Sequence, residues 1–581
     1  MGLPWIPTPQ RCVLFACSAQ IGRHTPVVLQ MPAYDRRLEQ AARQLFSEVA
    51  ISTGDFALYS VGSGAPDYDL QRPEGYFLSI RYDTVQISSQ DAVGLFYGIQ
   101  TLGQWFRMRE RPSLEICDWP DLALRSDYLD MRGLYPKFEN LLKYVKELAQ
   151  YKINTLVVEY EDKLPRSNRE LCHPTQCWSV EQHRLFLKTA SDYFIDVIPL
   201  QQTFGHLEYV LKLPEYRHLR ETPDTPGEMC PLRVGAAELA EKLLEETALL
   251  HPESRYLHLG CDEVWSLGKS AECRESGKSR GKIAAEYINR LAEKTVSLGK
   301  IPIVWHDMLA EGSDAELEGL NRNLLVAVWL YSPEAVNAQA LSLMERFHAL
   351  GVRTLPCSSV RASDMKADQN YPQIEQRLRN VDAWAEMIQN SRCIGMINTN
   401  WCSTFSLGNP YGLFETSRYP AFYAAGRCWN LKAGTEDFLE RFLTVFHGVP
   451  DPALSGGAER RYDYYKTVSG FLSCMDRNQA TAALIDIMRG FESAAPVNYS
   501  VFRGNLFPES EVELSCLKER ALKDYRNLGM VRQELKQILS KLLDPEMAEL
   551  FLESRDYPNR LFQKELERIL GISLDVSGDF V

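Results

Sequence analysis

The sequence has no long apolar run, and residues 1–20 lack the charged segment and the continuous apolar segment of a signal peptide. A helix that crosses a membrane needs about 20 consecutive, mostly apolar residues. Secretion through a signal peptide needs both of the missing segments. We therefore expect no membrane span, and a cytoplasmic location.

Basic residues are in the minority. The 581 residues include 64 lysines and arginines against 77 aspartates and glutamates, which gives a formal net charge of −13. Such a surface repels phosphate backbones, and no basic stripe compensates for it. The composition therefore predicts no nucleic-acid partner.

The sequence also lacks a regular cysteine framework. Its 14 cysteines are scattered from Cys12 to Cys516, a pattern typical of free thiols in a reducing compartment. Cys172, His173 and Cys177 have no second ligand pair to complete a metal site, and no His-X-His spacing occurs. We expect neither a metal nor a cofactor.

What the chain does have is a clear change of pattern along its length. A chain of 581 residues suggests about three domains. Residues 1–118 combine short strand-like runs with an amphipathic helix over Ala92–Arg107, which predicts a small α/β domain. Residues 433–581 carry long helical patterns and predict an α-helical domain. The Ser510–Leu543 stretch of that domain could pair with a second copy of the chain, so a homodimer is possible.

Residues 119–432 alternate strand-like and helix-like segments. This alternation is typical of a (β/α)8 TIM barrel. A doubly wound open sheet is the alternative, but no glycine-rich phosphate fingerprint follows the first strand. The predicted strands are Ser126–Met131, Thr155–Tyr160, Asp196–Gln201, Tyr256–Gly260, Ile301–Trp305, Leu324–Trp329, Arg353–Pro356 and Cys393–Asn398.

The ends of these predicted strands carry acids and tryptophans. In (β/α)8 barrels the reactive groups lie at the carboxyl ends of the strands. Tryptophan faces pack on the apolar face of a sugar, and carboxylates bind its hydroxyls. The pattern therefore favours a sugar pocket over the alternative, a metal-dependent hydrolase that would use His206, His258 and His306. Asp262 and Glu263 are adjacent, and two neighbouring acids in a dry pocket are expected to differ in protonation.

Three motifs resemble glycoside hydrolase family 20, the β-N-acetylhexosaminidases. The segment His258–Val264 is similar to the Asp-Glu signature of that family. Glu159–Asp162 and Ile198–Lys212 resemble its intracellular branch, called hexosaminidase D. The resemblance runs from Arg125 to Trp401 and implies a catalytic (β/α)8 barrel preceded by an α/β domain.

The resemblance implies an exo-acting, retaining glycosidase that releases terminal β-linked N-acetylgalactosamine or N-acetylglucosamine from an oligosaccharide or glycoconjugate. In the family, the 2-acetamido oxygen of the substrate is the nucleophile, and it forms an oxazolinium intermediate. By resemblance, Asp262 orients the acetamido group, and Glu263 acts first as the acid and then as the base. His206 is expected to hydrogen-bond Glu263 and to be oriented by Asp162.

The resemblance also implies a set of sugar-binding side chains. The tryptophans are expected around the acetamido methyl group and the sugar face, and Asp307 and Tyr331 against the acetamido group. The full set is Arg125, Glu161, Trp305, Asp307, Trp329, Tyr331, Trp401 and Glu415.

Departures from the family pattern leave the sugar specificity open. Gln202 stands where the wider family has a charged residue, and Pro356–Arg361 replaces an aromatic and lysine-bearing turn on the seventh strand. A different class of function is also open, a non-catalytic amino-sugar-binding protein. The acid pair with its histidine argues against it, because a binding module has no use for a proton donor.

Overall fold

The computed structural model describes residues 4–446, with gaps at 22–24, 26, 32–34, 49–55, 61–71, 109, 133–137, 174–176, 362–373, 390–392 and 402–416. Beyond residue 446 it describes Lys536 and Glu567. Most of the predicted helical domain over 433–581 therefore lies outside the described residues, and the predicted domain limits stay a prediction.

The first part of the chain forms a mixed six-stranded sheet. Its strands are β1 (Arg11–Ser18), β2 (Val27–Met31), β3 (Phe56–Ser60), β4 (Tyr76–Arg81), β5 (Thr84–Ser89) and β6 (Pro112–Asp118), in the spatial order β1-β6-β4-β5-β2-β3. The β5-β2 and β2-β3 pairs are parallel, and the other pairs are antiparallel.

Two helices accompany this sheet, α1 (Arg36–Glu48) and α2 (Ala92–Arg107). Helix α2 begins after Asp91, whose Oδ1 accepts a hydrogen bond from the Gly94 N–H at 2.7 Å. Such a cap contributes about 1 kcal/mol. Twelve of the 16 residues of α2 are buried, because one side of the helix packs on β4 and β5 while Phe96 and Tyr97 contact aromatic rings of the second part of the chain.

The second part of the chain is a closed barrel of eight parallel strands, which confirms the predicted fold class. Side chains that alternate along the strands, among them Tyr128, Ile198 and Leu355, fill its interior. The strands are β7 (Leu124–Asp130), β8 (Thr155–Glu159), β9 (Asp196–Leu200), β10 (Tyr256–His258), β11 (Ile301–Trp305), β12 (Leu325–Trp329), β13 (Arg353–Arg361) and β14 (Gly395–Asn400).

Helices cover the outside of the barrel and connect its strands. They are α3 (Phe138–Gln150), α4 (Val180–Asp192), α5 (Glu208–Leu211), α6 (Ala236–Leu250), α7 (Ala271–Glu275), α8 (Arg280–Ser297), α9 (Asp307–Ala310), α10 (Asp314–Leu317), α11 (Pro333–Ala335), α12 (Leu341–Ala349) and α13 (Ile374–Ile388). After the barrel come α14 (Arg418–Trp429) and α15 (Phe438–Val445). Within the part of the chain that the structure describes, no helix combines the length and the apolarity needed to cross a membrane.

Candidate active site

The turn after β10 carries the acid pair, and its backbone has an unusual shape. Gly260, Cys261 and Glu263 have positive φ angles of 68°, 71° and 54°. A side chain on Gly260 would meet the amide oxygen of Gln202 at 1.9 Å, so only glycine fits there. Left-handed backbone at non-glycine residues costs about 1–3 kcal/mol each and clusters at functional sites.

The loop after β9 packs directly on this turn. A side chain on Gly205 would lie 2.2 Å from the carbonyl oxygen of Asp262, so the two loops approach each other as closely as glycine allows. His206, the next residue, has a φ of 51°. The sequence of both loops therefore fixes where His206 lies relative to the acids.

His206 bridges the two acids. Its Nε2 lies 3.3 Å from Oδ2 of Asp262 and 3.4 Å from Oε2 of Glu263. Burial acts to lower the pKa of His206, but the Asp262 charge and the hydrogen bonds to both acids raise it well above its usual value. Burial likewise opposes ionisation of Asp262, yet the nearby His206 lowers the pKa of that carboxyl overall. The structure therefore keeps Asp262 charged beside a histidine that is protonated at neutral pH.

The second oxygen of Asp262 is the most informative atom of the site. Asp262 is 7% exposed, and its Oδ1 is buried without a hydrogen-bond partner among the described residues. Leaving a buried carboxylate oxygen unpaired is costly. An arrangement of this kind suits a ligand that brings its own N–H or O–H donor. The side chain of Glu263, in contrast, is 39% exposed and can reach a bound molecule and water.

Asp307, the first residue of α9, supports the acid pair. Its Oδ2 accepts a hydrogen bond from the backbone N–H of Glu263 at 2.8 Å, and its Oδ1 accepts one from the indole of Trp329 at 3.3 Å. Burial, assisted by the charge of Asp262, raises the pKa of Asp307 to about 7. Asp307 therefore changes protonation near neutral pH.

Replacing Asp307 with Asn is expected to make folding stability less dependent on pH. The unfolded chain releases the Asp307 proton near its ordinary pKa of 3.8, whereas the folded chain keeps it up to a pKa of about 7. The contribution of Asp307 to folding stability therefore falls as the pH rises between these two values, and it loses nothing more above the second. Urea titrations across this range should give a smaller decline for Asp307→Asn. The exposed Asp224→Asn serves as the control and should follow wild type; equal slopes for all three proteins would exclude this role of Asp307.

Aromatic rings line the adjoining strand ends. Trp305 is fully buried, with its ring 4.3 Å from His258 and 5.8 Å from Trp401. Trp329 stacks on Tyr331 at 5.3 Å, and the Trp401 indole donates a hydrogen bond to the Tyr331 hydroxyl at 2.9 Å. Three predicted tryptophans and Tyr331 thus form one continuous wall beside the acids.

Comparison with known proteins identifies the family. Residues 3–119 match the model of glycosyl hydrolase family 20, domain 2, and residues 124–349 match the family 20 catalytic domain. The chain belongs to glycosyl hydrolase family 20. The family 20 catalytic match begins at the first residue of β7 and includes every acid and the histidine described above.

Individual relatives agree with this assignment. The chain is 28% identical to Hexosaminidase D of Homo sapiens, a match that covers 48% of this chain and 60% of that protein. It is also 28% identical to Hexosaminidase D of Bos taurus, in a match that covers 48% of this chain and 84% of that protein. The aligned part therefore spans less than two thirds of the human relative.

Solved structures of family 20 share the fold. The chitobiase of Flavobacterium johnsoniae superposes with a TM-score of 0.62 at 16% identity, covering 100% of this chain and 95% of that chain. A mutant Streptomyces plicatus β-hexosaminidase in complex with its product GlcNAc superposes with a TM-score of 0.58 at 18% identity. This match covers 76% of this chain and 93% of that chain.

The predicted role of Arg125 in this family 20 site is wrong. Arg125 is the second residue of β7 and lies at the amino end of the strand, away from the acids. Its guanidinium is 1% exposed, pairs with Glu74 at 2.5 Å, and donates to the Tyr97 hydroxyl at 3.1 Å. Arg125 therefore joins the barrel to the amino-terminal domain.

Arg132 is the arginine that the structure places at the site. It follows β7 at the carboxyl edge, pairs with Asp130 at 3.1 Å and Glu159 at 3.3 Å, and lies 5.3 Å from the centre of the Trp401 ring. Its position two residues after the strand end was the available sequence signal.

The predicted orientation of His206 by Asp162 is also corrected. Asp162 and Glu161 both lie in a 3-10 turn after β8 and pair with Lys163, at 2.7 and 3.2 Å. Burial raises the pKa of Glu161 to about 7 despite the Lys163 charge. Among the described residues, the acids in contact with His206 are Asp262 and Glu263.

Four positions named in the sequence analysis remain. His258 points into the barrel, where its Nδ1 accepts the Gly260 N–H at 3.1 Å and burial lowers its pKa to about 3, so it supports the turn as a neutral ring. Gln202 binds Glu159 at 2.9 Å. The segment Pro356–Arg361 continues β13 as strand, and Glu415 lies outside the described residues.

Proposed function

We propose that the protein is an exo-acting, retaining β-N-acetylhexosaminidase that releases terminal β-linked N-acetylgalactosamine or N-acetylglucosamine. The observation that carries this proposal is the buried, unpartnered Oδ1 of Asp262 beside Glu263, whose side chain is 39% exposed. An amide N–H is the donor that such an oxygen lacks, and a 2-acetamido sugar supplies one. Membership of family 20, whose chemistry uses that same acetamido group, supports the assignment.

In the first proposed step, the acetamido oxygen attacks the anomeric carbon as the glycosidic C–O bond breaks. Glu263 gives its proton to the departing oxygen, and an oxazolinium ring forms on the sugar. Asp262 accepts the acetamido N–H on Oδ1, and its negative charge stabilises the positive charge that develops on nitrogen. The lowered pKa of Asp262 fits this part, because the group must stay ionised.

In the second proposed step, Glu263 takes a proton from water while the water oxygen attacks the anomeric carbon and opens the ring. Two inversions leave the product with the configuration of the substrate. His206 lies within 3.4 Å of both carboxyl groups and so fixes their spacing through the two steps. The aromatic wall of Trp305, Trp329, Tyr331 and Trp401 excludes water from the acetamido group, and Arg132 is available for sugar hydroxyls.

Hydrolysis of 4-nitrophenyl N-acetyl-β-glucosaminide and its C4 epimer tests the proposal. We expect turnover of at least one epimer, with the β-anomer as first product by NMR, and inhibition by a thiazoline analogue of the oxazolinium. The rival function, a sugar-binding protein without turnover, predicts thiazoline binding by calorimetry and no release of nitrophenol. Formation of the α-anomer first would contradict the retaining mechanism.

We also propose a cytoplasmic location. All eleven cysteines that the structure describes are free thiols, which suits a reducing compartment. The homodimer stays a prediction.

A further inference from the structure

A second cluster of ionisable side chains lies outside the catalytic centre. Glu221 and Cys230 lie on the connection between α5 and α6, and Cys273 lies in α7. All three are buried, with exposures of 1%, 0% and 2%. Their ligating atoms lie within 4.8 Å of one another.

Two distances in this cluster match those between the ligands of a zinc ion. The two sulfurs are 3.7 Å apart, and the Cys273 sulfur lies 3.6 Å from Oε2 of Glu221. A tetrahedral zinc ion, with Zn–S near 2.3 Å and Zn–O near 2.1 Å, requires S–S and S–O edges of about 3.8 and about 3.6 Å. A disulfide would need the sulfurs at about 2.05 Å.

The charge of the cluster also calls for a cation. Oε1 of Glu221 accepts the backbone N–H of Ser270 at 2.8 Å, which turns Oε2 towards the thiols. The charge of Glu221 contributes to a raised pKa of Arg280, but among the described residues Arg280 forms its ion pair with Glu311, at 2.9 Å. Buried carboxylates are normally paired with a cation or bound to a metal, whereas two cysteines that only fill space need no acid between them.

We propose that Glu221, Cys230 and Cys273 bind one zinc ion, with the Ser270 hydroxyl or a water as fourth ligand. The Ser270 hydroxyl already lies 3.2 Å from the Cys230 sulfur. With no ligand position open to the sugar pocket, the ion is structural. It joins the segment after β9, which contains His206, to the segment after β10, which contains Asp262 and Glu263.

Neighbouring contacts agree with this bridging role. Glu228 accepts the backbone N–H of Ser266 at 2.6 Å, and Met229 donates its N–H to the carbonyl of Phe204 at 3.0 Å. The first bond links the residues just before Cys230 to the segment after β10, and the second links them to the loop after β9. Loss of the ion should therefore loosen the pair of loops as well as lower stability.

Metal analysis of the full chain, purified in reducing buffer, tests the proposal. We expect one zinc per chain by mass spectrometry in wild type, and less than a tenth of that in Glu221→Gln, Cys230→Ser and Cys273→Ser. Cys428→Ala, a buried cysteine outside the cluster, is the matched control and should keep its zinc. His206→Ala should keep it too, because His206, Asp262 and Glu263 form the other described cluster with ligating atoms within 4.8 Å.

A reconstitution experiment covers variants that fail to fold. Chelator-treated wild type should gain about 3 °C or more in melting temperature when zinc is returned, and Glu221→Gln should gain nothing. Wild type that neither contains zinc nor gains stability from it would overturn the proposal. So would loss of zinc in His206→Ala alone, or a Cys230–Cys273 disulfide found by peptide mapping. These readouts do not depend on hydrolase activity.

Discussion

Glu263→Gln is expected to lower kcat for 4-nitrophenyl substrates by about 10³-fold, since a positioned general acid and base contributes about 10²- to 10⁴-fold. Gln has the shape of Glu but neither gives nor takes the proton. The Glu263 side chain is 39% exposed, and its ionic contact among the described residues is His206 at 3.4 Å, so the fold should tolerate the change. Thermal melting within a few degrees of wild type checks that point.

The leaving group separates acid catalysis from binding. A substrate with a more acidic leaving group needs less help from Glu263 in the first step. The loss of kcat/KM in Glu263→Gln, which reports that step, should therefore shrink as the leaving-group pKa falls. Azide, which needs no base, should restore turnover and yield a β-glycosyl azide. Glu275→Gln, an exposed acid on α7, is the control and should match wild type. An equal deficit across leaving groups would assign the acid to another residue.

The sequence predicted the repeating elements well, because local periodicity determines them. The helix Ala92–Arg107 has the predicted bounds. Strands β2 and β3, in contrast, were not predicted. A five-residue apolar run such as Val27–Met31 has no period long enough to distinguish a strand from a buried turn of helix.

Residues that depend on tertiary geometry were harder to predict. Arg125 and Arg132 both flank the predicted strand Ser126–Met131, and only the one after the strand lies at the carboxyl edge. The resemblance favoured the wrong arginine, although the barrel rule favours the other. Asp162 adjoins a motif but forms its ion pair locally with Lys163, which sequence spacing does not exclude.

The proposed zinc ligands illustrate the same limit more strongly. Cys230 and Cys273 are 43 residues apart, with a whole helix and β10 between them. No short ligand spacing marks them, and the third ligand is a glutamate among 77 acidic residues. Only the packing of the two loops brings these side chains together.

Asp262→Asn is expected to lower kcat/KM by about 10²- to 10³-fold, the usual cost of removing one group that stabilises transition-state charge. The amide oxygen of Asn can still accept the acetamido N–H, so substrate binding should change less than kcat. Thiazoline affinity should fall by a similar factor, since that inhibitor carries the charge of the intermediate. Asp224→Asn changes an exposed carboxyl group outside the acid pair and should leave both quantities unchanged.

The pH profile of Asp262→Asn tests independently whether the charge of Asp262 acts on its neighbours. In wild type, burial is the larger cause and the Asp262 charge the second cause that raise the pKa of Asp307 to about 7. The Asp262 charge also raises the pKa of His206. Removing the charge should lower both pKa values, so any limb of the rate profile near pH 7 should move to lower pH. His206 would then lose its proton at neutral pH and no longer bridge the acids as a cation. A profile that keeps its limb near pH 7 would show that Asp262 acts by orientation alone, without the charge coupling that the geometry implies.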